Sequence, residues 1–393
     1  MYSLNDLINE LCPNGVEYKE IKKFCDIQTG QSVSQVDILE NPGEFPVINS
    51  GREPLGFISK WNTENDPIGI TSRGAGVGSV TWCEGKYFRG NLNYSVTIIN
   101  NNTLCTRFLY HILNYLQNDI KNLCTFVGIP ALNKVNLEKL IIPVPPLPVQ
   151  EEIVRILDKF TELEAELEAE LEARKKQYDY YRDYLTSETY LLHFFNSNND
   201  VIIVKSLGEC VDLVMGVSPD GSTVSDDQNG MEFHQGKTHF GDMFLKNSGQ
   251  YTSQPSKTAK ANSIVMSVRA PVGDTNITQN EIAIGRGLCS MNGKDGLLTK
   301  FLYYWINANI DIFKSKSNSS TFESVNTNDI KSISVSFPSE KIQKEIIRIL
   351  DKFTELSFDI SAGLPAEIEA RRKQYEHYRG NILNINNINV GGG

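Results

Sequence analysis

Apolar positions along the chain follow two distinct periods. Ile153, Leu157, Phe160, Leu163, Leu167, Leu171, Tyr178, Tyr181 and Leu185 succeed one another in steps of three, four and seven, with Glu and Lys between them. Such steps put the apolar side chains on one face of a long helix, entered after Pro145, Pro146 and Pro148. A second stripe, Ile342, Ile346, Leu350, Phe353, Leu356 and Ile360, follows Phe337-Pro338, with Ser339 as the expected N-cap. Each helix is expected to run about 35–45 residues, or about 50–65 Å at 1.5 Å per residue. Two striped helices in one chain predict an antiparallel coiled coil. Elsewhere 45–48, 80–82, 94–99 and 263–268 read as short strands bounded by Gly, Asn or Pro, and 104–116 and 298–313 have helical spacing. The polar, Gly-ending tail is expected to be disordered over 385–393.

The two striped segments are copies. The nine residues Arg155 to Leu163 recur without change as Arg348 to Leu356, an offset of 193. Gln150, Glu152 and Ile153 fall on Gln343, Glu345 and Ile346, and Asn133 falls on Asn326. Further on, Glu172-Ala173-Arg174-Lys175-Lys176-Gln177-Tyr178 recurs as Glu369-Ala370-Arg371-Arg372-Lys373-Gln374-Tyr375, now at offset 197, so the second copy carries four extra residues between the matches. Twice that period accounts for nearly the whole chain, which is therefore two copies of one unit. The blocks preceding the helices keep only a scaffold: Gly30/Gly216, Ser32/Ser218, Arg73/Arg269, and Arg89-Gly90 set against Arg286-Gly287. A kept helix beside a diverged block is the pattern of two units that offer one surface to identical partners while reading different ligands.

Charge and composition narrow the chemistry. The net charge of −10 comes mostly from 149–200, which holds 6 basic and 13 acidic groups, while the two larger blocks are close to neutral. Each could present a one-sided basic face, so overall acidity leaves DNA binding open. Seven cysteines without a C-x-x-C pair read as reduced thiols, and the five histidines have no metal-ligand spacing, so no metal is expected. No apolar run is long enough to span a bilayer, and Met1-Tyr2-Ser3-Leu4-Asn5-Asp6 lacks a signal-peptide pattern, so a cytoplasmic location is expected. Catalytic signatures are wanting. Pro145-Pro146 lies between Val144 and Leu147 rather than in the [DN]-P-P-[YF] motif of amino-methyltransferases. Gly230 to Thr238 departs from a Walker A loop by one residue, and Pro219-Asp220 with Gln235 and Lys237 lacks the carboxylate of a nuclease metal site.

At this point the chain resembles the specificity subunits of Type I restriction–modification systems. The resemblance is carried by Leu11-Cys12-Pro13-Asn14-Gly15-Val16-Glu17-Tyr18, by the phrase from Pro146 to Phe160, by Glu172 to Arg182, and by their second copies, including Gly363-Leu364-Pro365-Ala366-Glu367-Ile368-Glu369-Ala370-Arg371. It spans essentially the whole chain and implies a mixed α/β (α+β) fold with two pseudo-repeated target recognition domains separated by two long antiparallel helices. The domains are expected at 1–148 and 195–338, the central helix at 149–194 and the distal helix at 339–384. The resemblance further implies a non-catalytic DNA-recognition subunit that reads an asymmetric bipartite target in double-stranded DNA and docks two modification (M) subunits. Restriction (R) subunits would join through the M subunits. S-adenosylmethionine, ATP and Mg would belong to those partners, with no cofactor in this chain. Candidate DNA-contacting residues are Gln28, Thr29, Gln31, Ser32, Arg73 and Arg89 in the first domain, and Ser218, Gln235, Lys237, Thr238, Arg269 and Arg286 in the second. The repeated polar residues Asp158, Lys159, Asp351 and Lys352 are candidates for partner contact. The competing reading is a coiled-coil adaptor with ligand-binding end domains and no DNA.

Overall fold

The computed structural model describes residues 4–51, 53–198, 201–316, 324–358 and 363–384. Ile360 of the second stripe and the tail 385–393 lie outside them. In chain order the elements used below are β1 (Cys25–Thr29), β2 (Pro42–Ile48), β3 (Ile68–Thr71), β4 (Val80–Trp82), β5 (Lys86–Arg89), β6 (Asn93–Ile98), α1 (Thr106–Tyr115), β7 (Cys124–Thr125), β8 (Ala131–Leu132), α2 (Leu147–Thr186), α3 (Glu188–Asn198), β9 (Val211–Met215), β10 (Met231–His234), β11 (Ile264–Ser267), β12 (Thr275–Ile277), β13 (Ile282–Ile284), β14 (Leu288–Gly293), α4 (Thr299–Ala308), α5 (Glu340–Phe358) and α6 (Leu364–Leu383). The chain forms two compact units, Met1–Glu166 with Glu369–Gly393, and Leu167–Ile368. Each unit thus draws helical segments from both ends of the repeat.

The first unit is built on an antiparallel sheet of order β1-β6-β3-β4, beside which β2 pairs with β5 in parallel, Val47 opposite Phe88 and Ile48 opposite Arg89. The second repeats it: an antiparallel sheet β9-β14-β11-β12, with β10 parallel to β13, Phe233 opposite Ala283 and His234 opposite Ile284. β3 and β11 are buried along their whole length, so they read as unbroken apolar or small runs rather than alternating ones. Helices α1 and α4 contribute Phe108, Leu109 and Ile112, and Phe301, Leu302 and Trp305, to their units' cores. Expected strands and helices over these stretches coincide with the observed ones within a residue or two, except that β2 starts at Pro42, three residues before the expected 45, and that 298–313 divides into α4 and a short helix Ile310–Ser315.

Helix α2 runs 40 residues, starting where Pro145 and Pro146 forbid an earlier turn. Pro148 sits in its first turn, where a missing N–H costs nothing. Val149, Ile153 and Leu157 bury into the first unit, and Tyr178 and Leu185 into the second. Leu163 stays 36% exposed, so the stripe is not uniformly covered. Within the first unit, Phe160 lies 6.0 Å from Tyr375 and stacks on Tyr378 at 5.6 Å, and Glu164 accepts from Arg372 at 2.6 Å. Rising numbers on α2 meet falling numbers on α6, so the pair is antiparallel. Within the second unit Phe353 of α5 stacks on Tyr181 of α2 at 5.2 Å, the same contact at offsets 193 and 197.

Two expectations about the long helices are corrected. The central helix does not run through 149–194: α2 ends at Thr186, and α3 starts at Glu188 after a bend at Ser187. The distal helix is not continuous over 339–384 but consists of α5 and α6. The four extra residues of the second copy fall in this interval, and Gly363 with Pro365 starts a new helix there: Pro365 fits a first turn but not a helix interior.

Candidate nucleic-acid interface

Strand register makes the equivalence of the two units exact enough to test each candidate. Gly30 N donates to Asn93 O, and Gly216 N to Leu288 O; Gln31 N donates to Arg89 O, and Val217 N to Ile284 O. A Cβ on Gly30 would lie 2.3 Å from Gly90 O, and one on Gly216 2.2 Å from Gly285 O, so both positions need glycine for the same close approach. The equivalent of Arg89 is therefore Ile284, and that of Arg286 is Asn91. The Arg-Gly pairing expected from sequence is two residues out of register.

Arg89 is also removed from the DNA-contacting set. It is 3% exposed, and its guanidinium donates to Ile68 O at 3.0 Å, Asn93 Oδ1 at 2.8 Å, Tyr94 O at 3.1 Å and Asp66 O at 2.7 Å, and to the Tyr87 hydroxyl. It ties strands together, both of its terminal nitrogens are engaged, and a side chain 4% exposed does not reach out to a base. Arg73 and Arg269, in contrast, are true equivalents. Arg73 bridges to Ala131 and Arg269 to Ser324; Leu132 N donates to Ser72 O and Val325 N to Val268 O. Both arginines are exposed, and neither guanidinium has an ion pair among the described residues.

The remaining candidates gather in groups. Gln28, Thr29 and Gln31 are exposed around an open polar recess with Asp26, Glu64 and Asp66. Gln28 Nε2 already donates to Asp26 at 2.6 Å. Carboxylates there repel phosphate but accept from the amino groups of base edges. Ser32 is exposed just beyond. In the second unit Ser218 Oγ accepts from Arg286 N at 3.4 Å, and Gly287 packs against Gln235 O, so Ser218, Gln235 and Arg286 share one turn region. Lys237 pairs with Asp274 at 2.5 Å, in the loop that also carries Arg269, while Thr238 is exposed beside it.

The repeated helix residues divide into two kinds. Gln150 and Gln343 are fully buried. Gln150 Oε1 accepts from Cys105 N at 2.8 Å, and its Nε2 donates to Pro145 O at 2.7 Å and Thr103 O at 3.0 Å. Gln343 repeats this with Leu298 N, Pro338 O and Gly296 O, each at 2.8 Å. Asp158 accepts from Arg107 Nε at 2.9 Å and contacts His111 Nε2 at 2.8 Å; Asp351 accepts from Lys300 at 2.8 Å and from the Tyr304 hydroxyl at 2.5 Å. Burial lowers the pKa of His111, against the opposing pull of Asp158, and burial raises that of Tyr304. Both aspartates therefore bind their helix to its own domain, through α1 or α4, which accounts for their repetition without a partner. The second kind faces solvent, apart from Glu152, whose side chain is 14% exposed. Glu152–Arg155 and Lys159–Glu162 pair at 2.7 and 2.8 Å, and Glu345–Arg348 and Lys352–Glu355 at 2.7 and 2.9 Å. Lys159 and Lys352 are 58% and 63% exposed, so burial does not explain their identity.

Sequence reasoning noted the glutamine match without its role. The signal available was an uncharged amide kept at the same place in both copies, five residues after Pro145 and Pro338. Among the described residues no group of three or more His, Cys, Asp or Glu could hold a metal ion, and no helix is long and apolar enough to cross a membrane.

Comparison with known proteins agrees with this duplicated arrangement. The family described as Type I restriction modification DNA specificity domain matches twice, over 13–173 and 204–370. The chain is 32% identical to a putative Type I restriction enzyme specificity subunit of Haemophilus influenzae, over 94% of this chain and 96% of that protein. It is 31% identical to the specificity subunit of the EcoR124I/EcoR124II enzyme of Escherichia coli, over 72% of each. Among solved structures, one described as addressing complex assembly and conformational transition of the Type I system superposes with a TM-score of 0.62 at 22% identity, covering 94% of this chain and 97% of that one. The S subunit of Mycoplasma genitalium superposes at 0.56 and 19% identity, over 94% and 96%. With two matches that together span most of its length, the chain belongs to the Type I restriction–modification DNA specificity family.

Proposed function

We propose that this chain is the sequence-reading subunit of a Type I restriction–modification complex, with one half of a bipartite double-stranded DNA target read by each unit. The observation that carries the reading is the unequal fate of the two halves of the repeat. Gln150/Gln343 and the exposed pairs around Lys159 and Lys352 are kept, while the loops around Arg73 and Arg269 keep the backbone frame and one arginine but change their neighbours. In this reading Arg73 and Arg269 contact phosphate or a guanine edge, and Gln28, Gln31, Gln235 and Arg286 read bases. The two identical exposed faces suit two copies of one M subunit, through which R subunits join. Methyl donor, ATP and Mg belong to those partners, and no catalytic step falls to this chain. The site of action is the cytoplasm, where the DNA is.

The test is an electrophoretic mobility shift with the purified chain and its M subunit on genomic fragments. Retarded, competitor-resistant complexes that need the chain support the reading. Assembly with M but no DNA preference beyond that of M alone would refute it.

A further inference from the structure

The β7–β8 hairpin of the first unit carries an apolar tip that none of the unit's described residues covers. Phe126, Val127 and Ile129 are 63%, 96% and 68% exposed, and the segment from Leu123 to Leu132 holds no charged residue. Gly128 turns the tip with φ +80°, and no heavy atom lies within 4 Å of where its Cβ would be. The stem is fixed. Cys124 pairs with Leu132 and Thr125 with Ala131, and Thr125 Oγ1 donates to Ala131 O at 3.2 Å. The stem is also bonded to the Arg73 turn: Gly74 N donates to Pro130 O at 2.9 Å, and Leu132 N to Ser72 O at 2.8 Å. An exposed, unpaired guanidinium and an apolar finger therefore share one rigid edge.

Three occupants could cover such a tip: DNA, an M subunit, or a second copy of the chain. A surface for identical partners should recur in both copies, as the Lys159 and Lys352 faces do. This one does not. At offset 193 the residues opposite Phe126 to Pro130 are Ser319, Ser320, Thr321, Phe322 and Glu323: an aromatic stands opposite Ile129, but serines replace Phe126 and Val127. The tip thus varies with the DNA-reading loops, and the cation beside it suits a phosphate.

We propose that Phe126 and Val127 form a wedge that inserts between base pairs of the half-site read by the first unit, with Arg73 holding the adjacent phosphate. Apolar side chains of this kind unstack a base step and kink the duplex toward the major groove. The inference rests on the DNA reading above and adds a deformation confined to one half-site, favouring a flexible pyrimidine–purine step there.

The test uses the assembled complex with M on its methylation-mapped target, with 2-aminopurine placed in turn at each step of both half-sites. Besides the adenines that the M subunits take out of the stack for methylation, the wild-type complex should raise fluorescence at one step of the first half-site and at none of the second. Phe126→Ser with Val127→Ser should abolish that rise and weaken binding roughly tenfold or more, while Phe126→Leu should retain it. Co-purification of M with each variant verifies folding. If the wild type binds its target tightly with no unstacked step besides those target adenines, the wedge is refuted and DNA reading stands. If the serine variant loses M while keeping its own fold, the tip is a partner surface and the proposal fails. If the wild-type complex shows no preference for the target, both readings fall.

Discussion

Removing one buried amide from each copy should damage the two units equally. Gln343→Ala strips the hydrogen-bond partners from Leu298 N–H and from the Gly296 and Pro338 carbonyls, and Gln150→Ala does the same to Cys105 N–H and the Thr103 and Pro145 carbonyls. Each buried group left unpaired costs about 1–3 kcal/mol, and three together would set the upper range. Water entering the space of the lost amide can re-satisfy some of them, so we expect about 3–5 kcal/mol per site. Hydrogen exchange reads the effect locally. Gln150→Ala should raise exchange across α1 and the start of α2, and Gln343→Ala across α4 and the start of α5. Urea titration followed by fluorescence should show matching losses. A cost below about 1 kcal/mol at either site, or effects at the two sites that differ by more than about twofold, would refute the claim that these glutamines do the same work in both copies.

Arg73→Ala should weaken binding to targets altered in the second half-site but not those altered in the first, and Arg269→Ala the reverse, if each touches a base; a phosphate contact would instead weaken all sequences and shallow the salt dependence. Binding isotherms at several salt concentrations decide which. Arg89→Ala should cost about 3–5 kcal/mol of stability by breaking a buried guanidinium network, with no change in base preference in whatever fraction stays folded. The pH dependence differs between copies at one position. His111 has a lowered folded pKa, so the unfolded chain takes up its proton first, and the first unit should lose stability as pH falls below about 6.5. His111→Tyr, which copies Tyr304, should remove that part of the loss in a pH series of urea titrations.

The helical repeat was readable because an apolar stripe and nine identical residues state period and copy together. The antiparallel pairing followed from it, and Phe160 with Tyr378 and Phe353 with Tyr181 realise it. The break before α6 was present as a four-residue insertion and Pro365, but a stripe read through to Ile360 concealed it. Arg89 misled because an Arg-Gly dipeptide occurs in both copies, whereas the strands set Arg89 opposite Ile48 and Ile284 opposite His234. Dipeptide identity carries no register; hydrogen-bond pairing does. The roles of Asp158 and Asp351 were hidden for a related reason. Their partners changed from Arg107 and His111 to Lys300 and Tyr304, so the contact is kept while the residues are not. The exposed apolar tip at Phe126 left no periodic signal, since a five-residue turn has no face.

The central claim is that one duplicated frame presents two different readers. Sequencing that detects methylated adenine, on a genome carrying this chain with its M subunit, tests it most directly. The account predicts a single motif with two unrelated halves separated by an unspecified gap, and replacing residues 1–148 by those of a relative should change one half while leaving the other intact. A palindromic or ungapped motif, or a replacement that alters both halves, would contradict it.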